Sequence, residues 1–313
     1  MIFNLIFLVG LGFLFTKIWE FAQIFLQGSK KKDLQKIYGK GWVLVTGGSD
    51  GIGKAFCELL YNQGFSVCVF GRNEEKTKNL CQEIKKPQNQ NKIVPIIGDF
   101  KNCIRDDEFM KDIEKQLDNA INTENVCMLI NNVGMEFTHS QRDKSMEFLK
   151  DSISVNLGSQ ILMTKLVLDK YFKTSEKQKR AIISISSFVG EVIMPYNADY
   201  CATKSANDKY SQSLSWELKD ENIDVLSLKP FFVTTKMTGF QKKMGAISPK
   251  ACAQGALNHL GELTTTNGDK AHKLQGFFTR SMPLNFLASK FIGFNKKVIN
   301  KIKAKEARQK KTE

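Results

Sequence analysis

Thr46-Gly47-Gly48-Ser49-Asp50-Gly51-Ile52-Gly53 joins the apolar run 42–46 to a helical pattern that starts at Ile52. Each of three glycines has a separate use in that position. Gly47 permits a tight turn, Gly51 lets the main chain approach a pyrophosphate, and Gly53 lets helix and strand pack closely, with phosphates resting on the helix N-terminus. A glycine cluster alone is only a loop; between a strand and an amphipathic helix it becomes a dinucleotide site. The phosphate-facing set is therefore Gly47, Ser49, Asp50, Gly51, Ile52 and Gly53.

Working outward, short β-branched runs alternate with longer helical patterns from Gly41 onward. Strands are expected at 42–46, 67–70, 93–97, 128–131, 181–186 and 224–228, and helices at 52–62, 74–85, 107–117, 155–172 and 197–218. The strand runs lack strict alternation, as expected where both faces are covered. The pattern predicts one α/β domain, a Rossmann-type doubly wound parallel sheet with helices on both faces. The segment 87–92 reads as a polar surface turn.

At the end of the second strand, Phe70-Gly71-Arg72 stands where NAD-binding proteins place an acid against the ribose hydroxyls. Arg72 suits the 2′-phosphate of NADP instead, because a guanidinium matches phosphate geometry and stacks on adenine. Asp99, ending the third strand, is positioned to hold the adenine amino group or to cap a turn.

Farther on, Tyr200 and Lys204 lie one helical turn apart. With 6 Tyr in the chain, about one Tyr-x-x-x-Lys arises by chance, so the pair draws its weight from the glycine turn upstream. Together they describe a phenol that hands a proton to a carbonyl beside a nicotinamide. A free phenol has a pKa of about 10, and a neighbouring ammonium is expected to draw it down.

The chain of 313 residues carries a net charge of +14, and 296–313 alone holds eight Lys/Arg against two Glu. Such a tail suits nucleic acid or an anionic membrane. The N-terminus favours the membrane: Met1 to Thr16 has no charge, and apolar residues continue through Trp19, Phe21, Ile24, Phe25 and Leu26. Sixteen helical residues span about 24 Å, and continuing past Lys17 with its side chain snorkelling reaches across a thin bilayer of about 27 Å. A cleaved signal peptide would show a basic start and an Ala-x-Ala site, both missing, so the segment is read as a retained anchor. Lys30, Lys31 and Lys32 place the body on the cytosolic side, and no nucleic-acid role is expected.

The resulting division is an anchor at 1–27, a basic linker at 28–40, a catalytic domain at 41–294 and a basic tail at 295–313. The 7 Cys are scattered without a C-x-x-C pair and only 3 His are present, which argues against a metal site and for reduced thiols facing the cytosol. An apolar cluster at 281–294 is open to three uses: lying on a membrane, covering a substrate tunnel, or packing on the core.

In order along the chain, Thr46-Gly-x-x-x-Gly51-x-Gly53, Asn131-Asn132-Val133-Gly134, Asn156, Ser187, Tyr200 and Lys204 resemble the short-chain dehydrogenase/reductase superfamily over 41–235. The wording Asp50-Gly-Ile-Gly53-Lys54, Asn131-Asn-Val-Gly-Met135 and Pro230-Phe-Phe-Val-Thr-Thr-Lys-Met237 is similar to the membrane-bound very-long-chain 3-oxoacyl-CoA reductases and their 17β-hydroxysteroid dehydrogenase relatives. Phe231 departs from the superfamily's usual Pro-Gly dipeptide.

The resemblance implies NADPH as cofactor and a set of roles. Tyr200 donates the proton, Lys204 also binds the nicotinamide ribose, Ser187 orients the carbonyl (spacing favours it over Ser186), and Asn156 holds a water that reprotonates Tyr200 through Lys204. Asn131 and Gly134 shape the loop under the adenosine, and Val233 and Thr235 contact the nicotinamide carboxamide and phosphates. Pocket candidates are Met135, Phe188, Met194 and 239–247. It also implies an acyl-CoA substrate, with a ketosteroid as the rival, a non-catalytic NADP-binding scaffold as the alternative of another class, and elongation proteins or a second copy as partners. Lys310-Lys311-Thr312-Glu313 resembles the dilysine signal that returns membrane proteins to the endoplasmic reticulum.

Overall fold

The computed structural model describes residues 2–28, 31–121, 125–172, 178–240 and 245–309. Lys30, the dilysine at Lys310 and Lys311, and 241–244 of the pocket segment lie outside them. The elements run α1 (Ile2–Leu26), α2 (Leu34–Tyr38), β1 (Trp42–Val45), α3 (Gly51–Asn62), β2 (Ser66–Gly71), α4 (Glu74–Ile84), β3 (Ile93–Ile97), α5 (Asp107–Ile121), β4 (Val126–Asn131), α6 (Met146–Ile153), α7 (Ser159–Leu166), β5 (Arg180–Ile185), α8 (Ala198–Glu217), β6 (Ile223–Leu228), α9 (Pro249–His259), β7 (Thr265–Thr266), α10 (Lys270–Arg280) and α11 (Leu284–Gln309).

All strand pairs are parallel, in the order β3-β2-β1-β4-β5-β6-β7. The order reverses beside β1, which opens a crevice at the carboxyl ends of β1 and β4, the usual ligand position in such sheets. The missing alternation has the expected cause. Val43 and Val45 join one apolar cluster with Phe56 and Leu60 of α3 and Ala256 of α9, while Trp42 and Leu44 join another with Ile113 and Leu117 of α5 and Leu214 of α8.

Several expectations change. The helix expected at 155–172 is preceded by α6, capped by Ser145, whose Oγ accepts from Phe148 N–H. Two wide π turns, Ser154–Gly158 and Val167–Tyr171, flank α7, and they disturb the 3.6-residue period that a sequence pattern depends on. The stretch expected as a linker contains α2, whose Leu34 and Tyr38 are fully buried; the Tyr38 hydroxyl donates to Asp224 Oδ2 of β6 at 2.8 Å. The tail boundary at 294/295 falls inside α11, which is continuous because Leu287, Asn295 and Ile299 recur along one buried stripe.

Among the described residues one helix, over Ile6–Leu26, is long and apolar enough to cross a membrane. Its first three turns beyond Ile6 are exposed, whereas Ile24 is buried against the body.

Leu117 is fully buried between α5 and the sheet. Leu117→Ala is expected to cost about 3 kcal/mol, because the cavity adds to the lost transfer energy. In a thermal melt of the detergent-solubilised chain the midpoint should fall by several degrees.

Candidate active site

The glycine turn is pinned from the side. Thr46 Oγ1, at the end of β1, accepts N–H bonds from Asn132 at 2.9 Å and Val133 at 3.1 Å, while Asn132 Nδ2 donates to Thr46 O at 2.9 Å and Gly47 O at 3.0 Å. Gly53 is required by close approach, since a Cβ there would stand 2.3 Å from Gly47 O and 2.5 Å from Asn132 Nδ2. Thr46 and Asn132 belong to the two sequence motifs, and it is the hydrogen bonds between them that give both a part in the site.

Asp50 caps α3, its Oδ1 accepting from Gly51 N–H at 2.7 Å and its Oδ2 pairing with Lys76 at 2.6 Å. Burial pushes its carboxyl up, but the Lys76 and Gly51 bonds outweigh this and hold it below the usual carboxylate range. Ser49, Asp50, Lys54, Asn73 and Lys76 line a cleft of about 460 Å³ beside the turn. Arg72 is exposed just beyond β2. Lys76 is a second cation that strand-end reasoning missed; it comes from the first turns of α4, four residues past Arg72. Asp99 caps the short turn Phe100–Asn102, accepting from Lys101 N–H at 3.1 Å. Asn131 bonds Thr164 Oγ1 at 3.0 Å and leaves its buried Oδ1 without a partner. Thr235 lies against the turn, 3.2 Å from where a Gly51 Cβ would be, and Val233 is buried and bridged to Ile247. The cleft also carries Glu75 and Glu83, and its two lysines are paired, Lys76 with Asp50 and Lys54 with Glu83 at 2.7 Å; it is the glycine turn at the N-terminus of α3 that fits the pyrophosphate of a dinucleotide.

The reacting end gathers at α8. Tyr200 and Lys204 are buried one turn apart, with Lys204 Nζ 5.7 Å from the phenol ring centre and donating to Ile185 O at 2.7 Å. Ser187 caps the turn Phe188–Glu191, its Oγ accepting from Val189 N–H at 3.3 Å, and its hydroxyl draws the Tyr200 phenol down. Ser186 is committed elsewhere, its hydroxyl donating to Lys204 O at 2.6 Å. Ser187 is thus the serine that meets the phenol.

Asn156 lies in the first π turn. Its amide clamps Met135, accepting from Met135 N–H at 2.7 Å and donating to Met135 O at 2.9 Å, with Ser152 and Thr203 nearby at 3.3 Å each. Gly134 sits between Asn156 and Lys204, where a Cβ would fall 3.3 Å from Asn156 Oδ1 and 3.5 Å from Lys204 Nζ. Gly134, expected under the adenosine, is thus placed beside Asn156 and Lys204. Phe231 stacks on Phe188 at 3.9 Å and donates its N–H to His272 Nδ1 at 3.3 Å, building an aromatic wall beside Ser187.

Glu136 is the residue that motif spacing could not reveal. Its carboxylate accepts from Asn197 Nδ2 at 2.9 Å and Thr138 Oγ1 at 3.2 Å, and burial pushes it up. It acts on both catalytic candidates. The Tyr200 phenol is raised, first by burial and then by Glu136, with the Ser187 bond opposing. The expected lowering of the phenol is therefore reversed, because desolvation and Glu136 exceed the pull of Ser187. Burial lowers Lys204 from 10.5 to about 8, with Glu136 opposing.

A family model described as short chain dehydrogenase matches residues 41–245. The human protein named inactive hydroxysteroid dehydrogenase-like protein 1 is 33% identical over 260 residues, covering 81% of this chain and 75% of that protein. The rat very-long-chain 3-oxoacyl-CoA reductase is 31% identical over 265 residues, covering 83% and 81% respectively. A 7β-hydroxysteroid dehydrogenase structure superposes with a TM-score of 0.69 at 19% identity, over 82% of this chain and 98% of that one. That likeness bears on the fold.

The Lys204 shift has a stability consequence. Between about 8 and 10.5 the unfolded chain binds more protons than the folded one, so stability rises with pH across that window. Lys204→Met should therefore stabilise the chain at pH 7, by up to about 3 kcal/mol, and the gain should shrink as pH rises through the window. Melts of both forms from pH 7 to 10.5 check this; a gain independent of pH would contradict it.

Proposed function

The chain belongs to the short-chain dehydrogenase family, and from that premise we propose that it is an NADPH-dependent reductase of 3-oxoacyl-CoA, anchored in the endoplasmic reticulum membrane and serving very-long-chain fatty-acid elongation. The observation that carries the proposal is the buried Tyr200 and Lys204, one turn apart on α8 with Lys204 Nζ 5.7 Å from the phenol ring, and Ser187 acting on that phenol. The rat relative's name supports the substrate class, and an apolar α1 supports the anchor at 1–27. The first human relative is named inactive; here the intact Ser187, Tyr200 and Lys204 favour turnover over a scaffold role.

In this reading the pyrophosphate rests on Gly47, Ser49, Gly51, Ile52 and Gly53 at the α3 N-terminus, with Asp50 fixing the turn. Arg72 and Lys76 take the 2′-phosphate, Asp99 and Asn131 flank the adenosine, and Val233 and Thr235 cover the nicotinamide end. NADPH, when bound there, supplies the hydride that reduces the C3 carbonyl. Ser187 donates a hydrogen bond to the carbonyl oxygen and Tyr200 transfers its proton to that oxygen. A phenol raised by burial is fully protonated at neutral pH, so the acid is always loaded. Lys204, held charged with help from Glu136, binds the ribose and favours the phenolate left behind. Asn156 keeps Met135 and Gly134 in place, and its main-chain carbonyl, which takes one bond from Asn207 at 2.8 Å, retains a second lone pair for a relay water.

Tyr200→Phe should lower kcat by about 10²- to 10⁴-fold with NADPH affinity retained. Unchanged turnover would remove Tyr200 as the acid. Arg72→Ala with Lys76→Ala should raise KM for NADPH by about tenfold or more and leave NADH unaffected. For the substrate, NADPH oxidation is compared with 3-oxoacyl-CoA and with a 17-ketosteroid. Preference for the steroid by more than about tenfold in kcat/KM would overturn the acyl-CoA assignment, and NADPH binding without turnover of either would favour the scaffold.

A further inference from the structure

The end of α1 is built into the body. Phe21 meets Phe277 of α10 edge-on at 5.5 Å, Lys273 Nζ donates to Gln27 O at 3.2 Å, and Asn258 Nδ2 donates to Gly28 O at 3.2 Å. Gly28 presses so close to the His259 ring that a Cβ would stand 2.2 Å from Nε2. Lys32 then bonds Leu260 O at 2.7 Å and Glu262 at 2.9 Å. A bilayer of about 30 Å needs some 20 helical residues, so with Ile6–Leu26 as the span Phe21 stands in its last turns, close to where α1 leaves the hydrocarbon. Whatever touches Phe21 is at that depth.

Phe277 touches it, and its neighbour Phe278 is 53% exposed with their rings 5.5 Å apart. From there the chain turns through Met282, 42% exposed, into Leu284 and Phe286, each 50% exposed. Four large apolar side chains at one corner are costly in water and suited to an acyl layer. Charge agrees with this. Lys290 Nζ lies 5.3 Å above the Phe286 ring, and Lys296, Lys297 and Lys301 are exposed along α11, an arrangement that meets anionic headgroups while an aromatic ring enters the layer beneath.

We propose that the corner joining α10 to α11, through Phe278, Met282, Leu284 and Phe286, seats in the surface of an anionic bilayer beside α1, so that the body rests on the membrane at two points. This rests on the anchored-reductase reading above and deepens it. The seated corner is tied to the reacting end: Arg280 bonds Glu191 at 2.8 and 3.2 Å and its guanidinium lies 5.9 Å from the ring of Phe188, next to Ser187. Ile292 of α11 lines a cavity of about 270 Å³ together with Ser140, Pro195, Tyr196 and Ala198, the last on the same helix as Tyr200. A long acyl chain then passes to Ser187 and Tyr200 from the lipid rather than through water.

The test uses the full chain in vesicles of phosphatidylcholine and phosphatidylserine. Phe286→p-benzoylphenylalanine is irradiated beside a control, Trp216→p-benzoylphenylalanine, whose site is 73% exposed at the end of α8. Lipid acyl adducts at 286 and none at 216 are expected; no lipid adduct at 286, or a crosslink to a second copy, overturns the seating. In a second arm, Met282→Glu, Leu284→Glu and Phe286→Glu are combined. The kcat/KM for a vesicle-partitioned long-chain 3-oxoacyl-CoA should fall at least about tenfold while that for a short, water-soluble 3-oxoacyl-CoA stays within about twofold. Equal losses on both would overturn delivery from the lipid. If the unaltered chain reduces neither substrate, the reductase assignment fails, and the adducts still decide the seating.

Discussion

Everything at this site depends on the stitch between the ends of β1 and β4. Parallel neighbours on either side of the order reversal must diverge to leave a crevice, yet the loops leaving them have to keep a fixed spacing. Thr46 Oγ1 meets that demand by accepting from Asn132 and Val133 N–H, and Asn132 Nδ2 returns to Thr46 O and Gly47 O. The glycine turn and the 131–136 loop therefore hold one geometry. Met135 in that loop is clamped by Asn156, and Gly134 leaves room for Asn156 and Lys204 to close in. A continuous run of close contacts connects the turn above α3 to the pair on α8.

Burial then sets the chemistry. Low dielectric favours the neutral form of both groups, so the phenol of Tyr200 goes up and the ammonium of Lys204 comes down to about 8. Glu136 reinforces the first effect and opposes the second, which keeps a protonated acid beside a cation at neutral pH. Ser187 is the group that draws the phenol back down, through a hydrogen bond that a phenolate strengthens.

How far such a site can be read from a sequence depends on whether its constraints are local. The glycine turn, the Tyr200–Lys204 spacing and the choice of Ser187 are local, because a turn type, one helical period and a fixed strand-to-helix offset specify them; the bond from Ser186 to Lys204 O agrees with that choice. Glu136 is 64 positions from Tyr200 and meets it only through the packing of the 131–136 loop on α8, so no pattern along the chain could announce it. Lys76 was hidden for a smaller reason: strand-end reasoning stops at Arg72, but the first turn of α4 folds back over Asp50. Within 28–40, α2 had a signal, Leu34 and Tyr38 at four-residue spacing amid charges, and both are buried. β7 has two residues, too few for any period to register.

The position of α10 gives the fold a mechanical property beyond its chemistry. Toward the chain's start it grips the exit of α1, through Lys273 to Gln27 O and Phe277 to Phe21. Toward the reacting end it receives the Phe231 N–H at His272, and Arg280 forms a two-pronged bond to Glu191, itself paired with Lys229 at 2.6 Å. One rigid helix of 11 residues therefore spans from the joint to the aromatic wall beside Ser187. With contacts at both of its ends, a tilt of α1 cannot be absorbed at the joint alone; it must be shared by the wall. A flexible tether would isolate the site from α1, and this sequence has packed side chains between them instead.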